Sequence, residues 1–350
     1  MNDASHADGP RLTDARGRLH PLPLFMPVYQ PRQPAFQLAM DGDGLKIDGL
    51  IVNAFFLYKQ RDLRNKLRSG TTLAALVGYD GLISTDSGAF QGFSRTLYLK
   101  NRDIVRFQDQ IRSDIIAPLD LVTPPGDSRA TAQTKLDVTI KRTREALDIV
   151  EHGIVAGVQQ GGRYLDLRER STEALLQMGA RYVAIGSLVP FFNKNHNLTF
   201  PGAVVRKARD MIGPDLPMHI YGAGDPVELP FFVKLGATVF DSASYGHYAA
   251  KGFYMTPYGA LRDPGPLIAG EYVCDCPQCQ LQGGGAAVLA DGERLTFHNI
   301  WTICSTVEKL RCLVRGEDGS LDKYLEHILE VHSRWFPESQ LRHSWHALPP

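Results

Sequence analysis

The sequence predicts an α/β protein, a closed (β/α)8 TIM barrel with a small zinc-binding subdomain near the carboxyl terminus. Eight short, apolar, β-rich runs recur along the first 243 residues, at intervals long enough for a helix. Several of those intervals carry apolar residues at helical spacing, and a cysteine cluster follows the last run. Strands that alternate with helices indicate a parallel sheet, and eight of them favour closure into a barrel. An open doubly wound sheet is the alternative that the pattern leaves open.

The predicted elements define the domain boundaries. The predicted strands are 24–29, 49–55, 81–86, 115–120, 153–159, 182–187, 218–224 and 238–243. The predicted helices are 138–152, 166–180, 225–237, 298–316 and 322–336, because each has apolar residues three and four positions apart. We therefore expect a polar, loosely ordered segment over 1–19, a catalytic barrel over 20–270, a zinc-binding subdomain with helices over 271–336, and a tail over 337–350.

The composition is that of an ordinary globular enzyme. Of the residues, 43% are hydrophobic, and 38 basic side chains balance 38 acidic ones. No overall basic charge signals a nucleic-acid partner, although a neutral total is compatible with a local basic face. The sequence contains neither a run of about 18 apolar residues nor a basic-then-apolar leader. We expect a cytoplasmic protein that has no membrane partner.

Five of the predicted strands end on, lie beside or, in one case, contain a polar or glycine-rich group that could act at the strand end. These groups are Asp86, Asp120, the pair Gln159–Gln160, the pair Gly186–Ser187, and Asp241. For a single residue, a strand that simply meets a polar loop is an equally good explanation. Active sites of (β/α)8 barrels lie at the carboxyl ends of the strands, however, and three carboxylates gathered there are costly unless chemistry uses them. The set therefore predicts an active site at this rim.

Three of the five cysteines form a C-x-C-x-x-C cluster, Cys274, Cys276 and Cys279. In a sequence without a leader, this spacing indicates a metal site rather than a disulfide framework. The spacing leaves the fourth ligand open among His298, Cys304 and His332.

Seven segments, in this order along the chain, resemble those of one enzyme family. They are FMPV (25–28), TDSGAFQGF (85–93), PLDLVTPP (118–125), QGGRYLDLR (160–168), AIGSL (184–188), FDSASY (240–245), and the cysteine cluster with its later His-Asn. The chain resembles the tRNA-guanine transglycosylases, which exchange a guanine in nucleic acid for a 7-deazaguanine base. The resemblance implies a zinc-bearing barrel and selects His298 as the fourth ligand. Four protein ligands leave no open position, so the Zn²⁺ would be structural.

The resemblance also implies roles for the rim residues. Asp241 would be the nucleophile that forms a covalent glycosyl-aspartate, and Asp86 the general acid/base, a division of labour shared with retaining glycosidases. The implied base-binding residues are Phe90, Asp120, Gln160, Gly186, Ser187, Leu188 and Tyr221. Phe90 and Tyr221 would stack on the two faces of the base, with plain core packing as their alternative.

The polymer substrate is predicted from departures within the family. Residues 242–252 lack the arginines of the bacterial tRNA enzymes, and the sequence carries no counterpart of the archaeal RNA-binding domains. These departures favour the relatives that modify DNA in bacteria and phages, and hence a bacterial or phage-infected host cytoplasm. An archaeal-type enzyme acting on tRNA is the main alternative. A nucleoside or nucleobase transglycosylase and a non-catalytic subunit are the others.

Two further expectations concern the incoming base and the assembly. The loop 187–197 has no acidic residue to meet an ammonium group, so the neutral 7-cyano-7-deazaguanine (preQ0) is the expected base. By resemblance, we expect a homodimer or a complex with a partner subunit.

Overall fold

The computed structural model describes residues 9–40, 45–89, 99–316 and 319–348. Phe90, one of the predicted base-binding residues, lies outside them. The strands in chain order are β1 (Arg11–Thr13), β2 (Leu19–Pro21), β3 (Leu24–Pro27), β4 (Gly49–Asn53), β5 (Leu82–Asp86), β6 (Ile115–Ile116), β7 (Ile154–Val155), β8 (Gly157–Gln159), β9 (Val183–Ile185), β10 (Met218–Ile220), β11 (Val239–Ser242), β12 (Tyr254–Thr256) and β13 (Gly259–Leu261).

Strands β3 to β11 form the predicted closed barrel. They pair in parallel in the orders β4-β5-β6-β7 and β8-β9-β10-β11-β3. Only Ala156 separates β7 from β8, so the two are halves of one barrel strand. A parallel bridge between Val28 and Ile51 joins β3 to β4 and completes the ring. The prediction of a (β/α)8 barrel is confirmed, and each of its eight strands lies within a predicted run.

The barrel has two buried layers, as the alternation of side chains along its strands requires. One fills the barrel interior and includes Leu24, Met26 and Val239. The other lies between the strands and the surrounding helices and includes Phe25, Ile220 and Phe240. Residues next to each other on a strand thus belong to different cores, which fixes which side chains face the barrel axis.

Three of the helices around the barrel overlap the predicted ranges 138–152, 166–180 and 225–237, and the others were not predicted individually. In chain order they are α1 (Pro34–Met40), α2 (Ala54–Lys59), α3 (Arg61–Arg68), α4 (Leu73–Val77), α5 (Asn101–Gln110), α6 (Arg129–Ile149), α7 (Leu165–Gln177), α8 (Thr199–Ile212), α9 (Leu229–Lys234) and α10 (Ser244–Ala249). Helix α6 begins nine residues before its predicted start, because the Ser128 hydroxyl accepts the Thr131 N–H and caps it there.

The amino-terminal segment departs from expectation. Strands β1 and β2 form an antiparallel hairpin, and Leu12 is buried in the core of the barrel interior. Arg16 donates from Nε and from a terminal guanidinium nitrogen to the two carboxylate oxygens of Asp114, at 3.0 and 2.9 Å. Residues 11–19 are therefore ordered, and the hairpin covers the end of the barrel at which the strands begin.

The carboxyl-terminal part packs against the barrel. Its helices are α11 (Gly265–Ile268), α12 (Pro277–Gln280), α13 (Gly284–Leu289), α14 (Gly292–Arg315), α15 (Ser320–Trp335) and α16 (Leu341–His346). The sequence predicted a tail from residue 337, but α16 buries Leu341 and Ser344 there. Within the described ranges, no helix is long and apolar enough to cross a membrane.

Candidate active site and metal centre

Asp241 lies near the carboxyl end of β11, with its side chain largely buried. One carboxylate oxygen, Oδ1, accepts the backbone N–H of Gly222 at 3.1 Å. The Nε2 atom of His219 lies 2.9 Å from the same oxygen. Both neighbours come from β10 and the turn after it, so the adjacent strand holds Oδ1, and Oδ2 has no hydrogen bond or ion pair among the described residues.

Asp86 ends β5, and the residue is partly exposed. Its Oδ1 accepts the Gly88 N–H at 3.1 Å, and its Oδ2 accepts from the Asn53 side chain at 2.9 Å. Burial raises the pKa of Asp86 to about 7; the hydrogen bonds lower it, and the negative charges of Asp120 and Asp241 raise it further. A carboxyl group with a pKa near 7 can both give and take a proton near neutral pH.

Asp120, Gln160 and Ser187 form one hydrogen-bonded chain. Gln160 donates from Nε2 to Asp120 Oδ2 at 2.6 Å, and the Ser187 hydroxyl donates to Gln160 Oε1 at 2.7 Å. The backbone N–H of Thr123 donates to the same hydroxyl at 2.8 Å, and Ser187 adopts a left-handed backbone with φ of 55°. Burial raises the pKa of Asp120 to about 6, against the lowering effect of the Gln160 hydrogen bond. The chain fixes the Gln160 amide and presents Asp120 as an acceptor.

Gly186 and Leu188 lie in the same segment, but their backbone N–H groups differ in whether they are available to donate a hydrogen bond to a ligand. The Gly186 N–H donates to the Gln159 carbonyl at 3.0 Å, so this donor is already used within the barrel. A Cβ atom on Gly186 would lie 2.5 Å from Gln160 Nε2, so glycine is required for the close approach of that amide. Among the described residues, no acceptor engages the N–H groups of Ser187 and Leu188. They are the free donors of this segment.

Tyr221 follows β10 and packs against the interior core. Burial raises the pKa of its hydroxyl well above the usual value, and the charges of Asp120, Asp241 and Asp86 contribute to the rise. The tyrosine thus lies within electrostatic reach of all three carboxylates. The structure brings together, at one end of the barrel, Asp86, Asp120, Gln160, Ser187, Tyr221 and Asp241.

Four residues near the site were missed by the sequence analysis: Asn53, Arg168, Tyr182 and His219. Arg168 is almost fully buried and donates to the carbonyls of Gly162 and Gly186, at 2.7 and 3.1 Å. No carboxylate among the described residues pairs with it. Burial lowers its pKa to about 9, so it stays charged at neutral pH and holds the two glycine segments that follow β8 and β9. The sequence feature that could have pointed to Arg168 is its position in the segment QGGRYLDLR.

Cys274, Cys276, Cys279 and His298 form a buried cluster whose ligand atoms all lie within 4.8 Å of one another. Each of the three sulfur atoms is 3.5 Å from His298 Nδ1. A tetrahedral zinc with Zn–S of about 2.3 Å and Zn–N of about 2.0 Å would place sulfur and nitrogen about 3.5 Å apart. The four residues therefore fit a structural zinc site, and Cys304 and His332 are not part of the cluster.

The surroundings of His298 prepare it as a ligand. Its Nε2–H donates a hydrogen bond to the Met255 carbonyl at 2.8 Å, which leaves Nδ1 free for the metal. The Tyr254 ring stacks on the imidazole with 3.6 Å between the ring centres. The next residue, Asn299, donates to the carbonyls of Tyr245 and Phe253 and accepts the Met255 N–H. The metal cluster thereby anchors the segment that follows Asp241.

These features define the class of the protein: a (β/α)8-barrel enzyme with carboxylates gathered at one end of the barrel and a separate structural metal site. The sequence profile of a family described as queuine tRNA-ribosyltransferase matches residues 10–334. The chain belongs to this family, whose members transfer pentosyl groups.

The chain is also similar to curated archaeal proteins along most of its length. The tRNA-guanine(15) transglycosylase of Methanopyrus kandleri is 33% identical over 329 residues, a stretch that covers 92% of this chain and 69% of that protein. The protein of the same name from Pyrococcus abyssi is 33% identical over 330 residues, with coverage of 92% and 55%. The one from Methanocaldococcus jannaschii is 28% identical over 332 residues, with coverage of 92% and 50%. The chain thus spans between half and about two thirds of the length of these relatives.

Proposed function

We propose that this protein exchanges a guanine base in nucleic acid for a 7-deazaguanine base. The observation that carries the proposal is the convergence of three carboxylates at one end of the barrel. Among them, Asp86 has a pKa raised to about 7, and Asp241 is held through one oxygen only. Two carboxyl groups in different environments suit a reaction with one nucleophile and one proton carrier.

In the first half of the reaction, Asp241 Oδ2 attacks C1′ of the pentose and the bond from C1′ to the guanine nitrogen breaks. The electron pair of that bond leaves with guanine, which takes a proton from the Asp86 carboxyl group. In the second half, the incoming base gives a proton to Asp86 and its nitrogen attacks C1′. The ester bond breaks, its electron pair returns to Asp241, and two displacements at C1′ retain the configuration.

The base would bind between Asp120, Gln160 and the segment at Ser187. Asp120 supplies an acceptor for the N1–H and the exocyclic amine of a guanine-like base. The Gln160 amide, fixed by its two side-chain partners, supplies a donor to O6, and the free N–H groups of Ser187 and Leu188 complete the edge. Tyr221 would stack on one face of the base. A stacking role for Phe90 stays a prediction from the sequence.

For the polymer, the relatives favour the tRNA alternative over the DNA prediction. The names of the three relatives specify tRNA, and their similarity extends over 92% of this chain. The DNA prediction depended mainly on finding no counterpart of the archaeal RNA-binding domains, and the given sequence spans only between half and about two thirds of the length of these relatives. We therefore propose tRNA as the substrate and keep DNA as an arm of the test.

The proposed incoming base is the neutral preQ0. The loop at 187–197 carries no acidic side chain, and Glu228, which contacts this loop, is buried and pairs with His196 at 2.8 Å. No carboxylate on the loop is thus available for an ammonium group.

The test is a labelled-base exchange assay. Radiolabelled preQ0 is offered with unmodified tRNA, single-stranded DNA and duplex DNA in parallel, with Asp241→Asn as the control variant. We expect label in tRNA and none with Asp241→Asn. Label in DNA alone would restore the DNA prediction, and label only in free nucleosides would indicate a small-molecule transglycosylase. No label in any arm, or full activity of Asp241→Asn, would contradict the proposed function.

A further inference from the structure

Inside the barrel, a line of polar side chains lies beneath the Asp241 carboxylate. Tyr182 and His219 are fully buried and face the apolar interior that Leu24, Val158 and Val239 help to fill. The Tyr182 hydroxyl lies 2.9 Å from His219 Nδ1, and His219 Nε2 lies 2.9 Å from Asp241 Oδ1. Polar groups in such a layer are costly to bury unless they are satisfied, so this arrangement calls for a reason.

The contacts determine the tautomer of His219. A buried phenol keeps its proton, since burial and the Asp241 charge raise the pKa of Tyr182 well above its usual value. If Nδ1 carried the imidazole proton, Nε2 would present a lone pair to a carboxylate oxygen at 2.9 Å. The opposite arrangement, in which Tyr182 donates to Nδ1 and Nε2 carries the proton, removes this repulsion.

The geometry at Asp241 is close but not aligned. Although Nε2 is within hydrogen-bond distance of Oδ1, it has no partner in hydrogen-bonding direction among the described residues. Catalytic hydrogen bonds are often misaligned in a free enzyme and tighten when substrate binds. We expect the carboxylate to reorient when substrate binds, so that Oδ1 accepts from Nε2–H as well as from the Gly222 N–H.

Building on the proposed function, we propose that His219, with its tautomer fixed by Tyr182, is the positioning residue of the nucleophile. It holds Oδ1 together with the Gly222 N–H, so that Oδ2 is the oxygen that attacks C1′. In the glycosyl-aspartate, Oδ1 is an ester carbonyl, which accepts hydrogen bonds more weakly than a carboxylate does. The two donors therefore favour departure of Asp241 from C1′ and speed the second half of the reaction.

The test compares His219→Leu, which removes the donor, with His219→Gln, whose side-chain amide nitrogen lies at about the position of imidazole Nε2. Exchange into the polymer that the wild-type protein modifies is measured together with the covalent adduct, trapped by denaturation in the absence of incoming base. For His219→Leu, we expect kcat to fall at least about tenfold with KM for the base within about twofold, because an oriented donor is lost. The trapped adduct should not decrease, because the ester loses less stabilisation than the carboxylate. His219→Gln should recover most of the lost kcat.

Two further variants complete the design. Tyr182→Phe leaves the imidazole in place but frees its tautomer, so we expect a smaller fall in kcat with the same adduct behaviour. It also keeps the test decisive if His219→Leu does not fold. His152→Leu, an exposed histidine remote from the pocket, is the matched control and should match the wild type.

Three outcomes would overturn the inference. In the first, the kcat of His219→Leu is within twofold of the wild-type value. In the second, folded variants lose kcat and the trapped adduct together. In the third, His219→Gln is as impaired as His219→Leu. Each presupposes a wild-type protein that exchanges base and an Asp241→Asn variant that does not. If that first condition fails, the proposed function fails instead, so the two failures are distinguishable.

Discussion

Replacing Asp86 by asparagine should make the protein more stable at alkaline pH while abolishing base exchange. Burial raises the pKa of Asp86 from its ordinary 3.8 to about 7, so the folded protein binds a proton that the unfolded chain releases over this interval. The stability from Asp86 is therefore complete below pH 3.8 and is lost as the pH rises to about 7. Asparagine is neutral at every pH and avoids this loss.

The magnitude follows from the same interval. Between pH 5 and the folded-state pKa of about 7, each pH unit removes about 1.4 kcal/mol of stability from the wild type. The advantage of Asp86→Asn should thus grow by on the order of 2–3 kcal/mol between pH 5 and pH 8. The asparagine also loses an acceptor for either Gly88 or Asn53, at about 1 kcal/mol. This cost is the same at both pH values, so it cancels in the comparison.

Urea unfolding of both proteins at pH 5, 6, 7 and 8 measures the difference directly. The corresponding rise in relative Tm is about 3–4 °C for a chain of this length. Asp210→Asn, the same substitution at an exposed position on α8, is the matched control. If the difference in free energy of unfolding between Asp86→Asn and the wild type stays constant or shrinks from pH 5 to 8, burial does not raise the pKa of Asp86 towards neutrality. That result would refute the argument that Asp86 carries a proton near neutral pH.

Three other perturbations test the site and its supports. The hydrogen bond from Asn53 lowers the pKa of Asp86, so in a pH–rate profile of base exchange Asn53→Ala should shift the alkaline limb to higher pH by about 0.7 pH unit. An unchanged alkaline limb would contradict an effect of this contact on Asp86. Cys276→Ser, or metal removal by a chelator, should lower the free energy of unfolding by several kcal/mol and weaken any dimer; unchanged unfolding and mass with zinc shown absent would count against a structural metal. Glu228 helps raise the pKa of His196 to about 9, so the stability from this buried pair is complete below pH 6.5 and lost towards pH 9. The difference between wild type and His196→Ala should shrink by up to about 3 kcal/mol over that range in urea unfolding, and a constant difference would argue against the pair.

Much of the framework could be predicted because it depends on local pattern. Short apolar runs marked every barrel strand, and the residues that end them, Asp86, Asp120 and Asp241, meet because parallel strands finish at one end of a barrel. The metal cluster was equally accessible, since ligand spacing is a local property. The choice of His298 needed the family resemblance, and the structure agrees with it.

What the sequence did not reveal depends on contacts between distant segments. His219 and Tyr182 look like ordinary strand residues, and only the register of β9, β10 and β11 stacks them under Asp241. Arg168 resembles a surface arginine on a helix, although its guanidinium is buried against two glycine segments. The hairpin at residues 11–21 was missed because its short strands are mostly polar, with Leu12 as the buried exception.

That hairpin has a practical consequence for experiments on this protein. It covers the end of the barrel where the strands begin, whereas Asp241 and its neighbours lie at the end where they finish. The Leu22 N–H donates to the Pro10 carbonyl, so Pro10 also lies at the covered end. A biosensor tether joined before Gly9 would hold the molecule with its pocket pointing away from the chip. Long polynucleotides could then be flowed over immobilised protein without the support blocking their approach.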